Sequence, residues 1–278
     1  AGKLLAWLDR REMAERWVPE IQTMEGREAL GPDTIEEKFA TYYSKLYASS
    51  VSSTAGDSYT LLATLPIPEL DESDRIALDE DITAEEIEQA IHKLKSGKAL
   101  GPNGLPIELY KAQSATLAPF LLQMFLECRE GGMLPADQWL ATIITIHKAG
   151  KPKTDCASYR PISLLNAEVK ILAKLLATRL LTVITKLIHE DQSGFIPGRS
   201  TALNLRRLHA VLGQGNGLSE EASILSLDAK MAFDSIEWGY MTEVLKRMGF
   251  GTKFLSWLNM LYAAPMAQVK VNGKISNI

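Results

Sequence analysis

The stretch from Ala167 to Ile188, AEVKILAKLLATRLLTVITKLI, sets the tightest limit on how this chain folds. Wound at 3.6 residues per turn it is apolar round most of its circumference, broken by one stripe at Lys170, Lys174, Thr178, Thr182 and Lys186. Such a helix needs other layers packed against it and leaves one narrow face for water. The chain must therefore build a substantial core. At 278 residues with 46% hydrophobic content it has the material for one large domain or two smaller ones. No apolar run reaches the ~18 to 20 residues of a membrane span, and no basic leader with an apolar core opens the sequence, so a soluble intracellular protein is expected. Cys128 and Cys156 stand far apart without a C-x-x-C or Cys/His grouping, which suggests neither a zinc site nor a disulfide framework. His189 and His209 lack metal-ligand spacing and read as surface or packing residues.

The formal net charge of −4 hides an asymmetry along the chain. Residues 1–92 hold 8 Lys and Arg against 20 Asp and Glu, whereas residues 145–210 hold 11 against 4. The basic block is either a solvated surface or a contact for a polyanion, since Lys and Arg against phosphates release counterions and supply most sequence-independent nucleic-acid affinity.

Helical spacing predicts helices over Ala1–Trp17 and Asp33–Tyr47, the second with Phe39, Tyr43 and Leu46 on one face. The small polar stretch at Ser49–Ser58 predicts a surface loop and an internal boundary. Thr83 and Glu86 have the spacing of a capping box, ahead of a helix that carries Ile87, Ala90, Ile91 and Leu94 and should stop near Gly97. GKALGPNGLP must turn tightly before a helix from about Pro106 to Cys128. The β-branched run Ala141–His147 predicts a strand entering a basic turn at Lys148, Lys151 and Lys153, and SYRPISLLN returns as an extended segment in which Pro161 keeps Arg160 out of a helix. A glycine-punctuated loop then precedes a helix with Arg199, Arg206 and Arg207 placed to reach a backbone. Ser223–Leu227 reads as a buried-type strand ending at Asp228, helices follow at about Trp238–Met248 and Thr252–Ala263, and VKVNGK meets Asn272-Gly273, the strongest short hairpin signal. The return strand has only five residues, so the sequence reads as interrupted.

The blocks GKALGPNGLP, IHKAGKP with SYRPISLLN, ILAKLLATRL, QSGFIPGRS and LDAKMAFDSIEW with VKVNG follow one another over some 180 residues from about Lys95. In kind, order and spacing they resemble the reverse transcriptases of non-LTR retrotransposons, the long-interspersed-element type. The resemblance implies an α-rich α+β fold, an incomplete right-hand polymerase. It would comprise an acidic connector at 1–79, fingers at 80–222 and a partial palm at 223–278, with the thumb absent. It implies RNA-directed DNA synthesis by two-magnesium phosphoryl transfer, with RNA template, DNA primer and deoxynucleoside triphosphates as partners and no membrane. Such a protein would work in the cytoplasm and nucleus.

By the same resemblance Asp228 is the catalytic carboxylate and metal ligand. Phe233 lies beneath the sugar and selects against a 2′-hydroxyl, and Asp234 holds the turn. Lys148, Lys151 and Arg160 close on the triphosphate, where a guanidinium fork suits phosphate oxygens. Gln192, Phe195, Gly198 and Arg199 match a block tied to template and fingers packing, and Gly101, Asn103 and Gly104 match a template-side loop. The family more often has Asp in place of Asn103 and Lys in place of Met231. Its second carboxylate block, an aromatic-Ala-Asp-Asp turn, occurs nowhere in these 278 residues. Two readings follow: part of a polymerase that is inactive alone, or a non-catalytic nucleic-acid-binding relic or scaffold. A half-built palm would also expose apolar surface and invite self-association.

Overall fold

The computed structural model describes residues 17–21, 33–49, 60, 62–213, 224–229 and 231–277. The helix expected over residues 1–17 and the loop at 49–58 lie almost wholly outside them. The chain clusters into two compact units, one of residues 1–50, 82–174 and 258–278, the other of residues 51–81 and 175–257.

The first unit is built on a small mixed sheet in the order β2-β1-β3-β4. Strand β1, Leu140–His147, pairs antiparallel with β2, Tyr159–Leu164, and parallel with β3, Met266–Val271. Pro161 sits on β2, an edge strand, where its missing N–H interrupts no central ladder. The β3-β4 connection is Asn272-Gly273, with φ of 51° and 82°, the pair of positive values that a type I′ hairpin demands. It returns through β4, Lys274–Ile275. The Asn272 side chain holds a further segment: its Oδ1 accepts from the Val18 N–H at 3.0 Å, and its Nδ2 donates to the Val18 carbonyl at 2.8 Å.

Helix α1, Asp33–Tyr47, lays Phe39 and Tyr43 into one core with Ile143, Tyr159 and Val269 of the sheet. Phe39 is fully buried and meets Tyr159 edge-on at 5.1 Å between ring centroids. A helix of the acidic N-terminal segment thus shares the sheet's core.

Helix α3, Ala84–Lys93, begins at the expected capping box. The Glu86 N–H donates to Thr83 Oγ1 at 3.2 Å, and the Thr83 N–H to Glu86 Oε2 at 3.0 Å. It stops at Lys93, earlier than expected, because Leu94 turns extended (φ −71°, ψ 142°) while still bonding back to Ala90 and Ile91. The helix expected over 106–128 is two, α4 at Ile107–Ala112 and α5 at Ser114–Gly131. Gln113, at φ −128° and ψ 30°, leaves helical geometry between them, so that Tyr110 and Ser114 both turn inward. A four-residue helix α6, Ala136–Trp139, leads into β1. The apolar helix is α7, Ala167–Leu187, and it buries Ile171, Leu172, Leu175, Leu176, Val183 and Leu187.

In the second unit, α2 (Glu72–Asp79) is held at both ends. Asp71 caps its start, accepting from the Asp74 N–H at 2.8 Å. At its end the Arg179 guanidinium donates to the carbonyls of Leu78, Glu80 and Asp81. Asp79 in turn accepts from the Phe254 N–H at 2.8 Å at the start of α10, Thr252–Leu261. Gly251 is required there, since a Cβ would stand 2.0 Å from that carboxylate.

Helices α8, Thr201–Gly213, and α9, Trp238–Arg247, bury no residue. The strand expected at Ser223–Leu227 does not form: residues 224–229 have no regular structure, and Leu227 is 84% exposed. A strand exists only by its ladder, and among the described residues none pairs with this one. Also among the described residues, no helix is long and apolar enough to cross a membrane.

Candidate functional site

In the first unit, Lys148 and Lys151 lie in the β1-β2 connection and Arg160 on β2, opposite Ile146. The connection is internally braced. The Lys148 N–H donates to the Ser158 carbonyl at 2.8 Å, its Nζ to the Ala157 carbonyl at 2.7 Å, and His147 Nε2 meets the Lys151 carbonyl at 2.9 Å. One donor of the Lys148 ammonium is therefore spent on the hairpin, while Lys151 and Arg160 are exposed. Their charges project from a rigid two-stranded arm, an arrangement suited to an anion's oxygens.

The loop of Gly101, Asn103 and Gly104 is fixed by residues far off in sequence. A Cβ on Gly101 would lie 2.5 Å from Asn166 N, Asn166 Oδ1 and Leu165 C, so only glycine fits. Gly104, at φ +72°, closes the turn by donating its N–H to the Gly101 carbonyl at 3.0 Å. The Asn103 N–H donates to Asn166 Oδ1 at 3.1 Å, and its Nδ2 to both oxygens of Glu168 at 3.3 and 3.2 Å. Glu168 is buried, and the Tyr110 hydroxyl donates to it at 2.5 Å. Burial and then this carboxylate push the Tyr110 hydroxyl's pKa up. Position 103 faces a carboxylate, which is why an amide suits it here.

In the second unit, Gln192, Phe195, Gly198 and Arg199 fall in the loop after α7. Arg199 closes that helix: its guanidinium donates to the carbonyls of Thr185 (3.3 Å), Ile188 (2.9 Å), His189 and Gln192 (3.0 Å). The last carbonyls of a helix lack intrahelical partners and carry partial negative charge, so a cation is well placed there. Gly198, at φ +76°, supplies the turn before it. Phe195 has φ +63°, a left-handed conformation rare for an aromatic residue, and is 87% exposed. Its ring meets that of Phe233, itself 77% exposed, edge-on at 5.6 Å. The fold thus joins QSGFIPGRS to LDAKMAFDSIEW. Asp228 is exposed in the irregular segment, and Asp234 is half-buried in the turn that Met231 opens at φ 54°, where the Ser235 N–H donates to the Met231 carbonyl at 3.0 Å.

Several basic side chains of residues 145–210 are taken up internally, among them Arg179, Arg199, Lys186 on Asp71 and Asp74, and Arg207 on Glu190 and Asp191. Asn166, Glu168 and Tyr110, which hold the glycine loop, were not singled out from the sequence, because nothing local marks a buried acid whose partners lie 58 and 65 residues away.

Residues 146–277 match the family described as reverse transcriptase (RNA-dependent DNA polymerase). The chain is 29% identical over 246 residues to the transposon TX1 uncharacterized 149 kDa protein of Xenopus laevis, covering 88% of this chain and 18% of that one. It is 35% identical over 157 residues to the RNA-directed DNA polymerase from mobile element jockey of Drosophila melanogaster, covering 56% of this chain and 17% of that one. The probable RNA-directed DNA polymerase from transposon BS, also of Drosophila melanogaster, is 31% identical over 169 residues, 59% of this chain and 18% of that one. Over this region the chain is similar to the reverse transcriptase family, and the relatives it matches are named as proteins of transposons and mobile elements. It spans less than a fifth of the length of these relatives.

Proposed function

We propose that this chain forms the fingers, at about residues 80–222, and part of the palm, from about 223, of an RNA-directed DNA polymerase that copies the RNA of a non-LTR element. The observation that carries the reading is the Phe195–Phe233 contact, which joins two blocks of the family five residues from Asp228. Phe233, braced on Phe195, would lie beneath the incoming sugar and exclude a 2′-hydroxyl. Lys151 and Arg160, with Lys148 stiffening their hairpin, would hold the triphosphate. Gln192, Gly198 and the 101–104 loop would lie along the template.

Magnesium is the cofactor expected of such an enzyme, and Asp228 its first ligand. The ion takes six oxygens, and among the described residues no three His, Cys, Asp or Glu side chains gather to hold one. The described residues do not by themselves compose the metal site, and this chain alone should not extend a primer. A second reading is a product that binds nucleic acid without catalysis, in keeping with the want of a three-ligand cluster among the described residues. Self-association through apolar palm surface, where Leu225, Leu227 and Ile236 are exposed, belongs to either reading, and light scattering on purified material tests it: a clean monomer counts against it.

The test of function is primer extension on an RNA template with magnesium and deoxynucleotides. It compares the 278-residue chain with one lengthened by the downstream sequence of a relative. Synthesis by the longer form only supports the polymerase reading, and synthesis by neither favours the binding product.

A further inference from the structure

Lys170, near the start of α7, lines a cavity of about 380 Å³ in the first unit. Four more lysines line it, Lys174 one turn further along α7, and Lys93, Lys95 and Lys98 from the end of α3 and the turn after it. Its floor includes Leu100 and Leu105, and among the described residues no acidic side chain lines it. Two carboxylates of neighbouring elements are engaged elsewhere: Glu108 Oε1 accepts from the Gly97 N–H at 2.6 Å, and Glu168 accepts from Tyr110 and Asn103.

Lys170 is half-buried, whereas Lys93, Lys95 and Lys98 are exposed. Burial lowers its pKa and so raises the share of the neutral amine, the form that acts as a nucleophile. Its Nζ donates to the Ala99 carbonyl at 3.3 Å, a bond that a neutral amine keeps through one N–H while its lone pair stays available. The turn that supplies this carbonyl is itself pinned: Lys111 Nζ donates to Ser96 Oγ at 3.1 Å, and Gly97 takes a left-handed φ of +69°. A cavity with this lining sets two requirements for a reagent. The exposed ammonium groups call for negative charge, and the floor, where Leu100 is 45% and Leu105 39% exposed, calls for an apolar part.

We propose that Lys170 is a site of covalent acylation by an acyl thioester of coenzyme A, with the carrier's phosphates on the exposed lysines and its acyl end on the leucine floor. A cavity of this size takes the acyl end and leaves the phosphates at the rim. The Lys170 Nζ lone pair attacks the thioester carbonyl carbon. The N–C bond forms, the C–S bond breaks, and the departing thiolate takes the proton that the nitrogen gives up, so an amide and a free thiol result with no change of oxidation state. The negative charge that develops on the carbonyl oxygen falls among ammonium groups, which stabilise it. The product amide is uncharged, so acylation removes one of the five positive charges at the cavity. The proposal needs only the cavity and the thioester, and it stands apart from the polymerase reading.

The experiment uses the full chain with no added transferase. The chain is incubated with butyryl-coenzyme A, and the acylation rate of each lysine is followed by mass spectrometry over a pH series. Lys170 should be acylated at least about tenfold faster than the median lysine, and its rate should rise at lower pH than theirs. S-Butyryl-N-acetylcysteamine, the same thioester without phosphates, should lose most of that preference. Lys95→Ala with Lys98→Ala, two exposed sites, should slow the reaction of Lys170 with the coenzyme A ester about threefold or more at low salt, and leave its reaction with the uncharged ester within about twofold. Lys170→Arg should abolish label at that position without passing it to Lys174. Acylation spread evenly over the lysines would refute the proposal, as would a preference for Lys174 or Lys98 over Lys170. An equal preference for Lys170 with the uncharged ester would show that the lysines hold no anionic carrier, and would refute it too.

Discussion

Replacing Gly101 by alanine tests how the glycine loop is held. The added Cβ would stand 2.5 Å from two backbone atoms and one side-chain atom of residues 165 and 166, where ordinary contact begins near 3.4 Å. The loop must therefore lift by about 0.9 Å. That stretches the Asn103 N–H bond to Asn166 Oδ1 from 3.1 Å to roughly 4 Å, beyond any hydrogen bond. The pair from Asn103 Nδ2 to Glu168, already at 3.3 and 3.2 Å, goes with it. Asn166 is fully buried and Glu168 nearly so, and a buried acceptor left without its donor costs about 1–3 kcal/mol, more for a charged one. The expected loss is about 2–4 kcal/mol, read as a lower urea midpoint at unchanged slope. Gly104→Ala is the control. No atom lies within 4 Å of its Cβ position, so it bears only the left-handed backbone, about 1–2 kcal/mol. A Gly101→Ala loss under ~0.5 kcal/mol, or one smaller than that of Gly104→Ala, would refute the packing argument.

Three further outcomes are expected. Asn103→Asp should destabilise by about 1–3 kcal/mol by facing Glu168 with a second carboxylate, and Glu168→Gln should recover most of it in the double variant; additive losses in chemical denaturation would show that the two do not interact. Arg199→Ala should cost about 1–2 kcal/mol and speed hydrogen exchange in the last turn of α7; unchanged exchange with weaker RNA binding would instead make Arg199 a template contact. Hydrogen bonds from Ser73 and the Asp74 N–H, with Lys186 beside them, hold the Asp71 carboxyl down at about 2 from 3.8. Because the folded value is the lower one, its stabilisation is complete above ~pH 4 and vanishes as pH falls through 2, so acid unfolding of Asp71→Asn should differ from the parent above ~pH 4 and converge with it near pH 2; a constant offset would contradict this.

What could be read along the sequence is what local chemistry decides. Thr83 and Glu86 cap α3 because both partners lie within one turn. Asn272-Gly273 makes its hairpin because two positive φ values suit those residues and few others. The β-branched run Ala141–His147 and the proline after Arg160 likewise mark β1 and β2. Where a long-range partner decides, the sequence misled or was silent. Residues 224–227 have a strand's composition but no ladder beside them among the described residues. The expected 106–128 helix breaks at Gln113, where Ser114 Oγ reaches back to Glu88 at 2.8 Å. Arg179 and Arg199 count as free charge along the chain, yet both spend their guanidinium forks on helix ends.

The central claim is that Asp228 is the metal-binding carboxylate of a template-directed polymerase, and that the nearby Asp234 only shapes the turn. Single-nucleotide incorporation on an RNA template, with the chain lengthened by a relative's downstream sequence, measures it directly. Asp228→Asn should reduce incorporation below detection while primer-template affinity holds, and Asp234→Asn should leave the rate within a few-fold of the parent. Incorporation that survives Asp228→Asn, or that is lost only with Asp234→Asn, would contradict the assignment.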